Sequence, residues 1–163
     1  KKINFPRICL PIIVVLNASV NFAIIFGLFI AFLVFSGNFP GISFVAFIPV
    51  LLTQIVFAIG LGIVLGVLNV FFRDVGQFFS VLLQFWFWLT PVVYTASILP
   101  SYVQRYIQWN PMTPLINAYQ DILVYAQWPR WDALLLPLLV GIMLCALGMR
   151  LFRKHAGEMV DEL

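Results

Sequence analysis

Charge is scarce in this chain. Charged residues make up 9% of its 163 positions, with nine basic and six acidic side chains, while 63% are hydrophobic. A soluble domain carries roughly 25% charged residues, so an ordinary soluble fold is excluded and an integral membrane protein is left. Histidine occurs once, as His155 beside Lys154 in a basic tail, and no second histidine or carboxylate pair recurs at ligand or acid-base spacing. His155 therefore reads as a tail charge, and the residues in hand offer no catalytic centre and no metal set. Asp74, Asp121 and Asp132 all fall at surfaces and none lies in the middle of an expected span. A proton- or sodium-coupled carrier usually needs an intramembrane carboxylate, so this lack argues against secondary transport. The two cysteines, Cys9 and Cys145, sit in or beside apolar runs and read as small packing residues. No Gly-Lys-Ser/Thr follows the glycines of Gly60–Gly66, so no phosphate loop is present and any ATP must be bound by another chain. The chain opens on Lys1 rather than Met, without the features of a signal peptide, and is expected to be a fragment whose start is missing. There is no internal repeat and no low-complexity tract.

What the chain has in quantity is long apolar sequence. With about 20 apolar residues needed per helical crossing, four segments qualify: Ile8–Phe35, Phe44–Phe72, Phe78–Leu99 and Ala133–Phe152. Leu115–Tyr125 would reach only about half of the ~30 Å hydrocarbon core at ~1.5 Å per residue, and is expected to be re-entrant or interfacial. Thr113 is expected as its N-cap with Pro114 at the first helical position. Four crossings put both ends on one side. Lys1, Lys2, Arg7, Arg73, Arg150, Arg153 and Lys154 then share a face, against Arg105 and Arg130 on the other, which makes the first face cytoplasmic. Ser36–Ser43 becomes a short uncharged external turn and Pro100–Asp132 a longer external segment. A transmembrane domain over 1–152 and a cytoplasmic tail over 153–163 follow.

Several constellations have both a functional and a structural reading. The interruption Asn69–Gln77 places Arg73 and Asp74 where neither can sit unpaired in hydrocarbon, so it marks a membrane surface and a tight elbow. Arg73 and Asp74 also suit a plain interfacial anchor pair. Ala58, Gly62 and Gly66 recur every four residues, a face for close helix packing, either static or sliding. Asn17 and Asn21 lie one turn apart in an apolar helix, as interhelical glue or as part of a polar path. Phe85, Trp86 and Trp88 lie roughly 20 Å along their helix from the elbow, and Tyr94, Tyr102, Tyr106, Trp109, Trp128 and Trp131 continue the series outward. Such rings form an interfacial belt in most membrane proteins, or they offer flat platforms to sugars.

The elbow followed by the break at Thr90-Pro91-Val92-Val93-Tyr94 resembles the permease subunits of ABC-2 type transporters, most closely the branch exporting O-antigen, capsule and teichoic acid. Lys2–Arg7 resembles the end of the cytoplasmic loop before the family's third span, and Leu65–Gln77 its fourth span and second elbow. Pro91–Tyr94, with Ser97 and Pro100, resembles the end of the fifth span. Asn110–Pro114 is similar to the segment between two short external helices, and Ala156–Leu163 to the family's tail. Together these stretches cover nearly the whole chain in the family's order. Thr95 departs from the pattern, standing where a second proline is frequent.

The resemblance implies an all-α, type V exporter-like helical bundle whose first two spans precede this chain. It implies a bacterial inner-membrane permease working as a homodimer with two copies of an ATPase that binds the ATP and Mg, and no cofactor or nucleic acid on this chain. The substrate would be a lipid-linked glycan, met within the membrane lipid. Phe5, Pro6, Arg7, Arg73, Asp74, Gly76 and Gln77 would couple to the ATPase. Asn17, Asn21, Phe85, Trp86, Trp88, Pro91, Tyr94, Tyr102, Tyr106, Trp109 and Tyr119 would form the substrate path and gate, with Ser101–Gln108 and Leu115–Tyr125 as external gate helices. The rival readings are an ABC-2 efflux permease for drugs or small lipids, a membrane enzyme of lipid-linked sugars, and a non-catalytic assembly subunit.

Overall fold

A computed structural model describes residues 9–72, 74–92, 94 and 98–155. Its described residues are helical or irregular, in the order α1 (Cys9–Phe35), a six-residue 3-10 turn (Gly41–Ala46), α2 (Phe47–Phe71), α3 (Val75–Leu89), α4 (Ser101–Ile107), α5 (Met112–Leu123) and α6 (Trp131–His155). They fall in two units, divided between Phe39 and Pro40.

The first unit is α1 and its exit. At 27 residues the helix is ~40 Å long, enough to cross a bilayer. It stops by a glycine-dependent motif. Gly37 has φ of +73°, its N–H donates to the Val34 carbonyl at 3.2 Å, and the Asn38 N–H donates back to the Leu33 carbonyl at 3.1 Å. This is the Schellman pairing, which satisfies two carbonyls a helix end leaves open and needs a residue tolerant of positive φ. Asn17 and Asn21 are exposed and make no side-chain hydrogen bond among the described residues.

The second unit is built on a seam between α2 and α6. At Gly60 an added Cβ would meet the Gly141 carbonyl at 2.7 Å and the Cys145 nitrogen at 2.8 Å. At Gly141 it would meet the Phe57 nitrogen and Cα at 2.9 Å, and at Gly148 the Ile63 side chain at 2.8 Å. These pairs advance together along both helices, so α2 and α6 run parallel, in contact backbone to backbone. Cys145 adds a thiol contact to the Val56 carbonyl at 3.5 Å and packs in the seam, as a small side chain should. The face expected at Ala58, Gly62 and Gly66 is not the one used in this seam: all three are exposed, and a Cβ at Gly62 or Gly66 would touch nothing within 4 Å. Gly60 lies two residues from Gly62, about 200° around the helix, so the register that matters is the opposite one.

Crossing lengths also differ from expectation in one place. Among the described residues three stretches are long and apolar enough to span a membrane, in α1, in α2 with the 3-10 turn before it, and in α6, whereas α3 has 15 residues. That is ~22 Å against a core of ~30 Å. The helix begins three residues earlier than the apolar run and ends at Leu89 rather than Leu99, because Pro91 forces Thr90 out of helical geometry, to φ −92° and ψ 134°. α6 runs unbroken through Arg150, Arg153 and Lys154 despite the buried Pro137. α2 and α3 pack antiparallel, with Asn69 beside Gly76 at one end and the Phe57 ring edge-on to Trp86 at 6.4 Å nearer the other. With α2 and α6 parallel, the elbow and the basic end of α6 lie on the same side.

A compact apolar core closes the other side. Ala46, Val50, Leu115, Ala118, Ile122 and Leu134 are buried together, with Met112, Tyr119 and Leu123 against them. α5 supplies Leu115, Ala118 and Ile122 at helical spacing, so one face of a 12-residue helix is laid on the starts of α2 and α6. Ser43 on the 3-10 turn donates to the Ala126 carbonyl at 2.8 Å and fixes the chain after α5. Ala126 is held there at φ +51°, a left-handed conformation disfavoured for a residue with a Cβ.

Candidate functional site

Two groups of polar residues of the second unit sit at the two ends of α3. At the elbow, Asn69 Oδ1 accepts the Gly76 N–H at 2.9 Å, and a Cβ on Gly76 would lie 3.0 Å from that oxygen. The reversal is closed by Val75 N–H to the Phe72 carbonyl at 3.0 Å. Asp74 and Gln77 are exposed beside it. Arg73, Phe5, Pro6 and Arg7, expected to couple to an ATPase, lie outside the described residues, as do Thr95, Ser97 and the tail beyond His155.

At the outer end a network replaces the helix that stops. Thr90 is buried, donates its hydroxyl to the Trp86 carbonyl at 2.8 Å, and accepts from the Asn110 amide at 3.0 Å. Asn110 Oδ1 accepts both the Trp86 indole N–H at 2.8 Å and the Met112 N–H at 3.1 Å. One asparagine thus ties the end of α3 to the bend between α4 and α5. It also starts α5, since its main-chain carbonyl accepts the Thr113 N–H at 3.0 Å. The N-cap expected at Thr113 is therefore a correction: α5 begins at Met112, and Thr113 lies inside it, buried. The Tyr94 hydroxyl reaches the Trp88 and Leu89 carbonyls at 3.1 and 3.3 Å, covering carbonyls that the end of α3 leaves open. Pro91 is fully buried, and Gln120 of α5 leans on its carbonyl at 3.4 Å.

α5 is fastened to α2 as well. Tyr119 donates to Gln54 Oε1 at 2.5 Å and its ring lies 5.4 Å from that of Phe47. Burial pushes its phenol far above the usual range, so it stays a donor. Trp86 is ~18 Å along α3 from Asp74, and its partner Asn110 lies beside it, so the α4–α5 bend is tied to α3 that far from the elbow.

The aromatic series divides. Trp86 turns inward, to Phe57 and Asn110. Phe85 and Trp88 are 70% and 67% exposed on the opposite side of α3. Trp88 shares a stripe with Gln77 and Gln84, and a shallow concavity of about 520 Å³ is lined by Leu83, Gln84, Phe87 and Trp88. Tyr102, Tyr106 and Trp109 are exposed on and after α4, as is Arg105, whereas Ile107 is buried. Sequence reasoning missed the bonding roles of Asn110, Thr90, Gln54 and Asn69. The available signal was a polar amide at each end of an apolar helix, with no other way to be satisfied in hydrocarbon.

The family model for the ABC-2 type transporter matches residues 1–124. The O-antigen export system permease protein RfbA of Klebsiella pneumoniae is 28% identical over 155 residues, covering 94% of this chain and 60% of that protein. The protein of the same name from Myxococcus xanthus is 30% identical over 164 residues, covering 99% of this chain and 63% of its own length. The chain thus spans about three fifths of the curated relatives it matches. Long apolar helices and the elbow agree with this match: the chain is a membrane protein and belongs to the ABC-2 type transporter family.

Proposed function

We propose that this chain is the carboxy-terminal membrane part of a permease subunit that exports a lipid-linked polysaccharide, driven by a separate ATPase that binds ATP and Mg. The observation that carries this reading is the α4–α5 bend bonded through Asn110 to the broken end of α3. It supplies a jointed element at the outer mouth of the membrane, and the named relatives are permeases of O-antigen export systems. The permease acts as a homodimer in the bacterial inner membrane, with the elbow and the basic end of α6 in the cytoplasm.

The geometry suggests how force travels. A push on the elbow reaches α3 through the turn closed by Asn69 and Gly76. α3 carries it as a rigid rod to Thr90, where Asn110 passes it to α4 and α5. The outward stripe of Gln77, Gln84 and Trp88 faces the glycan: amides meet hydroxyls and the indole meets the apolar face of a sugar ring. Trp86 acts as a structural post. Deleting the full-length gene tests the reading. Lipid-linked glycan should accumulate in the cytoplasm while surface polysaccharide is lost. Loss of both pools would indicate biosynthesis instead, and no change in either would point to small-molecule efflux.

A further inference from the structure

On the external side, apart from α3, the second unit contains a cavity of about 440 Å³ between the α4–α5 bend, one face of α5 and the start of α6. One wall is apolar, from Pro114, Ala118, Ala133 and Leu136. The rest carries Gln108, Trp109, Asn117, Asp121, Arg130 and Asp132. These charged groups are not consumed by one another: among the described residues no ion pair joins Asp121, Arg130 or Asp132. Burial raises the Asp121 carboxyl above its ordinary range and Arg130 opposes the rise, so the two sense each other across the cavity without closing it. Trp109 is 77% exposed at the rim. Thr113, 4% exposed, lines the same cavity and its hydroxyl has no hydrogen-bond partner among the described residues. A helical threonine ordinarily gives that proton to the carbonyl four residues back, so an unspent hydroxyl here is an unmet polar demand beside the cavity.

We propose that this cavity is a sugar-binding subsite that holds a neutral saccharide unit of the glycan as it leaves the membrane. The chemistry of the lining selects that ligand class. Carboxylates and side-chain amides accept and donate to neighbouring hydroxyls, an arginine donates to ring or glycosidic oxygens, and an exposed indole offers its face to axial C–H groups. Two carboxylates against one guanidinium leave the lining net negative, which disfavours a phosphate or an anionic lipid headgroup. The volume lies within the range of small-ligand pockets, with a few polar groups converging on an apolar wall. The α4–α5 bend that carries Gln108 and Trp109 is also the one Asn110 bonds to α3, so occupancy of the subsite bears on an element the transport stroke moves. The subsite would give the emerging chain a hold outside the membrane and oppose its return.

This inference rests on the export reading, and its test separates the two. The full-length permease with its ATPase partner is placed in lipid nanodiscs. The probe is the source cell's own surface polysaccharide, released by mild acid, cut to short oligosaccharides and fluorescently labelled, with binding read by polarisation. Trp109→Ala, Asn117→Ala and Asp121→Asn should each weaken binding about tenfold, with melting of the complex and co-purification of the ATPase unchanged. Unchanged binding in all three overturns the subsite. So does binding that inorganic phosphate competes away and that only Arg130→Ala removes, which would make it an anion site. Failure of an impermeant maleimide to label Asn117→Cys in intact cells also overturns it, by placing the face under another protein surface. If gene deletion abolishes surface glycan while the three variants bind and export as the parent does, the export reading stands and the subsite falls. If deletion leaves surface glycan intact, the export reading falls.

Discussion

At the inner end of α3, among the described residues, one exposed side-chain bond, from the Gly76 N–H to Asn69, closes the elbow. At the outer end Trp86, Thr90, Asn110 and Met112 share a part-buried network, and Tyr94 covers the last carbonyls. The helix between them is the same apolar rod. Its ends differ in what surrounds them: water competes for the elbow bond, so its net worth is small, whereas within the outer leaflet an unmade bond has no substitute. The inner end is therefore the compliant joint and the outer end the stiff one. Under the proposed export function, this puts the give where the force enters and the rigidity where it must be delivered.

The largest effect should come from destroying the frame that holds both ends. Gly141→Val places carbon against the Phe57 backbone, where a Cβ already lies at 2.9 Å. It should cost about 3 kcal/mol or more and leave little folded protein in a detergent melting assay. Gly62→Val, on the open face of α2, should melt like the parent.

Next comes the outer joint. Asn110→Ala orphans the Trp86 N–H and the Met112 N–H and removes the bond that the Thr90 oxygen accepts, and should destabilise by about 2–4 kcal/mol. Hydrogen exchange should rise at α5 and at Trp86–Thr90 together. The matched change at the elbow, Asn69→Ala, should cost below about 1 kcal/mol, with faster exchange confined to Phe72–Gln77. Equal losses at the two ends would break the comparison. The smallest effect has the opposite sign: Ala126→Gly relieves a left-handed alanine at φ +51° and should raise stability by about 1 kcal/mol without touching either joint.

Hydropathy made α1, α2 and α6 legible, along with the elbow and the short helix α5, because a run of apolar residues has few alternatives. It overextended α3, since Val92, Ile98 and Leu99 are as apolar as the helix before Pro91 and hydropathy does not register a lost helical geometry. The small-residue seam was misread for a related reason. Ala58, Gly62 and Gly66 form a pattern within one helix, whereas Gly60, Gly141 and Gly148 work as a set only across two helices some 80 residues apart. Thr113 carried a valid N-cap signature, but Asn110 took the first N–H groups of α5 and left that hydroxyl over. The aromatic series was visible as a series. Its division into an inward Trp86 and an outward Trp88 follows from which face of α3 meets Phe57, which spacing alone does not fix.

The account turns on the outer end of α3 and the α4–α5 bend moving as one piece. The direct measurement joins Thr90→Cys to Asn110→Cys with a short reducible thiol linker, in full-length permease with Cys9 and Cys145 replaced, and follows polysaccharide export in cells. If the two parts travel together, the linked protein exports and reduction, which leaves the joint with neither linker nor hydrogen bond, impairs export. If the stroke instead requires the bend to part from α3, the linked protein is arrested and reduction restores it, and the coupling assigned to Asn110 is wrong.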